Sequence, residues 1–199
     1  MPTTPTLQDR QDIADLMTGW IHRDQARWDR LRDLFHPGAR IEITWFEGPA
    51  ADFVDASARM ASTGLRTKHL ITAPYVTFSA DGTRAVAETN AVIVVENGSL
   101  GLGCNGHNRF IDRVERRDGV WRIADRKSVY DFATFTFPAG VTDVDDKVVA
   151  KYPSEYGALA YLLDQSGFPV ERTFATQGSE LERQIKDSAF AWLSAEAGA

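Results

Sequence analysis

Residues 84–135 read RAVAETNAVIVVENGSLGLGCNGHNRFIDRVERRDGVWRIADRKSVYDFATF. Val and Ile crowd the first half, while Asn97-Gly98 and Asp118-Gly119 punctuate the run. Asn-Gly and Asp-Gly between β-rich segments are strong hairpin signals, because both turn positions tolerate positive φ. The spacing predicts strands over 84–96, 107–117 and 120–135. Working back, 68–78 is strand-like and Asp81-Gly82 supplies a further turn. Ile41, Ile43 and Trp45 alternate with Arg40, Glu42 and Thr44, the pattern of a half-buried strand. A short helix is expected over 52–62, with Phe53, Ala56 and Met60 on one side.

Upstream, Thr6 and Asp9 form a capping pair before a helical stripe of Ile13, Leu16, Met17, Trp20 and Ile21. Steps of three or four continue it through Asp24, Trp28, Leu31 and Phe35 until Pro37-Gly38. Arg10, Asp12, Asp15, Arg23, Arg27 and Arg30 fall on the solvent side of that helix. Beyond Pro37-Gly38 the strand patterns take over, and from Pro138 the texture changes again. Tyr156, Leu159, Ala160 and Leu163 recur at helical spacing, and Ser179 with Glu182 caps a helix bearing Leu181, Ile185, Ala189 and Trp192. This tail suits either a pocket cover or a subunit interface. Helices followed by hairpin-linked strands make an α+β fold with a curved antiparallel sheet.

Composition narrows the function. The 199 residues fit one domain, and 43% hydrophobic with 25% charged residues is an ordinary globular balance. A formal charge of −6 argues against nucleic acid, whose phosphates demand a basic field. One Cys cannot form an intrachain disulfide. No apolar run reaches the roughly 18 residues of a membrane span. Residues 1–11 lack the basic start and apolar core of a signal peptide, so a cytoplasmic protein is expected. Aromatics reach 11%, with five Trp.

Several motifs need weighing. Gly101-Leu-Gly103-Cys-Asn-Gly106 spells the dinucleotide fingerprint, yet a further strand follows where that motif needs a helix. A Gly-rich bend or bulge is the better reading. Asp24, a lone acid on the apolar stripe, must be paired, turn out to water, or serve as a base or orienter of a histidine. Of four His, His22 is expected exposed and His36 looks like a helix-end cation. His69 opens a strand with Ile71, Ala73 and Tyr75 on its face, and His107 lies at the Gly-rich bend. Coupled to a buried Asp, His69 becomes a candidate general base. Asp24, His69 and His107 could in principle form a two-His, one-carboxylate metal site, but no close-spaced ligand pair anchors it. No metal or cofactor is assigned. Cys104 reads as a buried filler. Arg126, Ser128 and Tyr130 share a strand face; Arg126 either pairs with Asp125 or Asp112 at the surface or stabilises an anion in a pocket.

The run Ile13-Ala-Asp-Leu-Met, His22-Arg-Asp24-Gln-Ala-Arg-Trp28 and Leu34-Phe35-His-Pro-Gly-Ala39 resembles the opening of SnoaL-like proteins of the nuclear transport factor 2-like superfamily. Asn108-Arg-Phe-Ile-Asp112 through Asp118-Gly119-Val-Trp121-Arg-Ile123 adds to the resemblance, which covers about 7–135 and is nearest the scytalone dehydratase and lindane dehydrochlorinase branch. It implies a cone-shaped α+β barrel, three helices against a strongly bent sheet, enclosing one pocket. It also implies an Asp–His dyad, matched by Asp24 and His69, and an arginine assisting the leaving group, matched by Arg126. Where scytalone dehydratase has a Tyr beside its Asp, this chain has Arg23, and its second pocket His is replaced by a Val in 92–95.

The expectation is a barrel domain over 1–137 and a helical extension over 138–199 packed on it. The expected function is a cofactor-independent lyase, dehydrating, dehydrohalogenating or cleaving by retro-aldol, acting on a bulky apolar or aromatic molecule. His69, Asp24 and Arg126 are the catalytic candidates; Tyr130, Trp45, Phe53, Tyr75, Asn108 and Trp20 are the substrate-binding ones. Partners would be that small molecule and further copies of the chain, as a dimer or trimer, with no nucleic acid and no membrane. The same fold also serves non-catalytic ligand carriers and assembly modules, and a metal-dependent oxygenase is the third reading.

Overall fold

A computed structural model of the chain describes residues 4–195. The extreme ends of the two expected units, 1–3 and 196–199, lie outside the described residues. Thr6 caps α1 (Leu7–Thr18): its hydroxyl accepts the Asp9 N–H while the Asp9 carboxylate accepts the Thr6 N–H. This reciprocal pair satisfies donors that a helix start otherwise leaves orphaned. The helix stops at Gly19, where a Cβ would lie 2.7 Å from Leu34 Cδ2 and 2.9 Å from the Asp15 carbonyl oxygen. Next come α2 (Ile21–Asp24) and α3 (Trp28–Arg32), separated by Ala26 at φ +54°.

The expected continuous stripe is therefore three short helices, and the breaks shift its phase. Ile21, expected on the apolar face, is 48% exposed, whereas Arg23, expected in solvent, is 7% exposed. Phe35 opens β1 (Phe35–Ile43) rather than closing a helix, and Pro37-Gly38 lies inside that strand where its register against its neighbour shifts.

The remaining sheet comprises β2 (Phe46–Pro49), β3 (Leu65–Ile71), β4 (Tyr75–Phe78), β5 (Arg84–Asn97), β6 (Leu102–Arg117) and β7 (Val120–Thr136). Helix α4 (Ala50–Met60) separates β2 from β3, and α5 (Asp146–Val149), α6 (Gly157–Gln165) and α7 (Glu180–Ser194) follow the last strand. Strand order is β2-β1-β7-β6-β5-β3, with β4 also on β5, in one sheet curled into a half barrel. The pairings are antiparallel, as expected, except β1 on β7, which is parallel. No hairpin joins those two strands, so nothing forces them to run oppositely.

Asp118 and Gly119 turn the β6–β7 hairpin with φ of +51° and +79°, as a two-residue turn of this hand requires. Asn97 works through its side chain, whose Oδ1 accepts the Ser99 and Leu100 N–H groups. The glycine fingerprint is neither a phosphate loop nor the expected bend. Gly101 closes a turn, and Gly103 and Gly106 continue β6 in unbroken register with β5. The irregularity falls one residue later, between His107 and Asn108 against β7.

Residues opposite one another across a sheet share a face. Thr67–Val95–Cys104, His69–Ile93–Gly106 and Ile71–Ala91–Asn108–Tyr130 form successive rows on the concave side. Between them, Leu70–Val92–His107–Phe132 faces outward. Helix α6 lies against the concave side, with Leu159 close over Gly106: a Cβ there would sit 3.1 Å from Ile93 Cγ2 and 3.7 Å from Leu159 Cδ2. Helix α7, capped by Ser179, packs Ala189 and Leu193 on the opposite side, against Val86, Ile111 and Val129. Among the described residues no helix is long and apolar enough to cross a membrane.

Candidate active site

Asp24 ends α2 and His69 lies in β3, and the break at Gly19-Trp20 turns Asp24 toward that strand. Asp24 Oδ1 lies 2.6 Å from His69 Nδ1, and Oδ2 accepts the His69 backbone N–H at 2.7 Å. Both side chains are nearly enclosed, 10% and 7% exposed. A carboxylate this close places the ring proton on Nδ1 and leaves the Nε2 lone pair available. Burial, first, holds the imidazole below its ordinary range; the Asp24 bond opposes this, and the charges of Arg23 and Arg126 add to the lowering. At neutral pH His69 is thus a neutral base whose orientation is fixed.

His69 lines a small cavity between the concave sheet, the first helices and α6. Its wall is mostly apolar with a few polar groups, the make-up of a small-molecule site. Trp20, Trp45, Asn108 and Tyr130, all expected as substrate-binding, border it. Trp20 stands edge-on to the His69 ring at 5.8 Å. Asn108 donates to Ser128 Oγ at 2.8 Å, and the Tyr130 hydroxyl accepts the Thr44 N–H at 3.0 Å. Burial pushes the Tyr130 phenol up, so it remains a neutral donor and acceptor.

Two expected walls are elsewhere. Phe53 is fully buried behind the lining, stacked on Trp20 at 5.4 Å and tilted against Trp45 at 5.5 Å, so it supports the wall without forming it. Tyr75 is 73% exposed. The strand carrying His69 ends at Ile71, and beyond Pro74 the separate strand β4 pairs Tyr75 with Glu88 on the outward face. The alternation counted from His69 does not survive that break.

Arg126 also departs from expectation. It is fully buried rather than at the surface, and Nε and Nη2 donate to the two Asp112 oxygens at 2.7 and 2.8 Å. Its guanidinium lies between the Trp20 and Phe110 rings, 4.5 and 4.2 Å from their centroids. Those rings border the cavity, and Arg126 sits behind them. Its Nη1 has no hydrogen-bond partner among the described residues. Burial pushes the Asp112 carboxyl up against the opposing pull of Arg126.

Arg23 is the polar group that the sequence pattern puts in the wrong place. It borders the cavity, donating from Nη1 to Thr67 Oγ1 at 2.9 Å and from Nη2 toward Met60 Sδ at 3.4 Å. Its charge lies over the Trp45 ring at 5.8 Å, and its Nε is buried without a partner among the described residues. Burial lowers its pKa to about 10, a shift that the neighbouring Asp24 resists. Thr67 was legible from β3 alternation, two residues before His69. Leu159 and Leu163 of α6, which close the cavity, were legible from their own helical spacing.

The other histidines do not border this cavity. His107 faces outward, stacked on Phe132 at 4.1 Å, so it cannot join Asp24 and His69 around a metal. Among the described residues no three His, Cys, Asp or Glu side chains are grouped to hold an ion. His36 is a buried strand residue bonded through Nε2 to the Glu115 carbonyl at 2.9 Å, not a helix-end cation. His22 is half-buried, not exposed, with an unpartnered Nδ1. Cys104 is enclosed on the concave face, and burial pushes its thiol up to about 12, which makes it inert at neutral pH.

Comparison with known proteins places the chain in a family. Pea pathogenicity protein 2 of Fusarium vanettenii is 30% identical over 205 aligned positions, covering 94% of this chain and 87% of that protein. A hexachlorocyclohexane dehydrochlorinase, LinA type 2, superposes with a TM-score of 0.58 at 19% identity, over 70% of this chain and 95% of its own. A scytalone dehydratase-like protein from Novosphingobium aromaticivorans gives 0.55 at 16% identity, over 70% and 94%. At such identities the superpositions establish a shared nuclear transport factor 2-like fold. Residues 5–127 match the SnoaL-like domain, a span that includes the three N-terminal helices and both Asp24 and His69, and the chain belongs to that family.

Proposed function

We propose that the protein is a lyase acting on a ring-bearing, largely apolar small molecule, with His69 as general base and Asp24 as the group that orients it. One observation carries this reading: the 2.6 Å Asp24–His69 bond at the wall of an apolar cavity. Likeness in fold to a hexachlorocyclohexane dehydrochlorinase supports the reaction class. In an elimination, His69 Nε2 takes a proton from carbon, the C–H electron pair becomes the new double bond, and the leaving group departs with the pair from its own bond. In a retro-aldol cleavage, the same nitrogen takes a hydroxyl proton, a carbonyl forms there, and the C–C pair goes to the departing carbanion, which is then protonated. Either way no electrons are gained or lost overall.

Tyr130, kept neutral by burial, would donate to the departing or developing anion. Arg126 contributes field from behind Trp20 and Phe110 rather than contact. An oriented base contributes roughly 10²–10⁴-fold, and an anion-directed donor roughly 10²–10³-fold. Turnover of halogenated and hydroxylated alicyclic and aryl compounds, compared between wild type, His69→Ala and Asp24→Asn, tests the proposal. Loss of turnover in both variants with the fold intact is expected. Full turnover in either would overturn the dyad. A wild type that binds such rings and converts none would instead be a ligand-binding module.

A further inference from the structure

We propose that Arg23 makes one wall of the cavity an anion-binding subsite, and that the molecule taken there is an aryl or alicyclic carboxylate whose carboxylate meets the Arg23 guanidinium. The inference deepens the reading of this cavity as a substrate site and rests on it. Three other arginines wholly or partly enclosed by the fold meet carboxylates of the protein itself, while half-buried Arg84 and Arg113 meet the Trp192 carbonyl and the Ser188 hydroxyl. Arg126 bonds Asp112 at 2.7 Å, Arg109 bonds Asp131 at 2.8 Å, and Arg116 bonds Asp9 at 2.9 Å. Arg23, 7% exposed, forms no ion pair with any described residue. Of the five N–H donors in a guanidinium, Arg23 directs one to Thr67 Oγ1 and one to a thioether sulfur, a weak acceptor. Its Nε is buried with no acceptor among the described residues.

Asp24, its neighbour in sequence, acts on Arg23 through its charge but accepts no hydrogen bond from it; its oxygens face the His69 ring and backbone N–H. Taking a charge out of water without a partner is costly, so an enclosed, unpaired cation bordering a cavity is matched by an anion from outside the protein. A planar guanidinium fork fits a carboxylate, and one cation beside one hydroxyl is too few donors for a phosphoryl dianion. The apolar remainder of the wall, with Trp45 and Trp20, requires that the rest of the ligand be a ring or hydrocarbon. Thr67, which holds Arg23, lies two residues from His69 on one face of β3, about 7 Å along the strand. A carboxylate anchored on Arg23 therefore leaves the neighbouring carbons of the same small molecule beside the base. Arg23, Met60, Leu65 and Thr67 also border a depression on the outer surface, so the cation stands at the partition between cavity and solvent.

Calorimetric titration of the full chain with ring-matched acid and amide pairs tests the inference. The probes are benzoate against benzamide, cyclohexanecarboxylate against its carboxamide, and inorganic phosphate. Wild type is expected to bind each carboxylate at least about tenfold more tightly than its amide, as one well-placed charge-assisted contact provides, and more tightly than phosphate. Arg23→Met, and Arg23→Gln as a second uncharged variant, should erase that preference; His69→Ala should keep it. Equal affinities for acid and amide, no carboxylate binding at millimolar concentration, or a preference that survives both Arg23 variants would overturn the assignment. The wild-type comparison stands even where a variant fails to fold. Dyad-dependent turnover confined to neutral rings would sink the anion subsite alone. Arg23-dependent carboxylate binding with turnover indifferent to His69 and Asp24 would sink the dyad alone.

Discussion

Asp24 holds His69 at two points, through the ring Nδ1 at 2.6 Å and through the backbone N–H at 2.7 Å. The second bond fixes the strand and the first fixes the tautomer, so the two roles are separable. Asp24→Asn keeps an oxygen for the backbone N–H but loses the negative charge that selects Nδ1–H. Its kcat/KM should fall about 10²–10⁴-fold, with thermal unfolding close to wild type. His69→Ala should fall comparably, and the double variant no further, because groups that act as a unit are not additive. Steady-state kinetics on any converted substrate checks this, and additive losses in the double variant would contradict it.

The pH profile follows from the same geometry. Burial depresses the His69 pKa below 6.5, with the Arg23 and Arg126 charges adding to the lowering. The base is active when neutral, so kcat/KM should hold down through neutral pH and fall only below the ordinary imidazole range. Removing the Arg23 charge removes one cause of the depression, so Arg23→Met should shift the acid limb to higher pH. An acid limb above 6.5 in wild type, or one unmoved in Arg23→Met, would contradict this electrostatic account.

Much of this was legible in the sequence, and the failures share a cause. Hairpin glycines, the Thr6–Asp9 cap and β-branched runs are local signals, and they placed the strands of 84–135 and the starts of α1 and α7. Asp24 and His69 stood out because an acid on an apolar stripe needs a partner. Periodicity, however, holds only while the chain stays regular. Gly19 and Ala26 break the stripe, so the pattern assigns Arg23 to solvent although it borders the cavity. Pro74 breaks the strand, so the pattern assigns Tyr75 to a pocket although it points outward. Asp112 was legible as one of two partners for Arg126, but the full burial of the pair across β6 and β7 was not, because it depends on the rings packed over the guanidinium.

The Arg126–Asp112 pair separates stability from chemistry. Both groups are fully buried, so removing one leaves the other charged without a partner. Arg126→Met should destabilise the fold by about 3–5 kcal/mol, and Arg126→Met with Asp112→Leu should recover most of that loss. Urea denaturation reads the comparison. With stability restored, any remaining loss of kcat measures what the Arg126 charge contributes at the cavity. A double variant as unstable as the single one would show that packing, not charge, holds this site.

Acid stability should depend on Asp9. Burial by itself would raise its carboxyl, but hydrogen bonds from Trp121 and Thr6 and the Arg116 charge prevail and bring the pKa from 3.8 down to about 2. A depressed carboxyl stabilises the fold above its unfolded pKa, and that contribution disappears as pH falls through the folded value. Asp9→Asn should therefore lose about 1–2 kcal/mol at pH 7 and approach wild type near pH 2. Denaturant titrations of both proteins across that range give the difference, and a gap that stays constant with pH would rule out the linkage.

The outward row Leu70–Val92–His107–Phe132 bears on assembly. Helix α7 covers the convex face at Val86, Ile111 and Val129, whereas Leu70 and Phe132 on this row remain 54% and 52% exposed. An apolar row crossing β3, β5, β6 and β7, with Tyr75 further along the same face at 73% exposure, suits contact with a second copy of the chain. Light scattering should give a mass that is a multiple of the single chain at micromolar concentration. Leu70→Glu with Phe132→Glu should reduce it to one chain, because two charges would be buried without partners in the interface. Neither side chain faces the cavity, so ligand binding in the double variant should match wild type. A wild type that is already monomeric would refute the assembly, and an assembly unaffected by both glutamates would place its interface elsewhere.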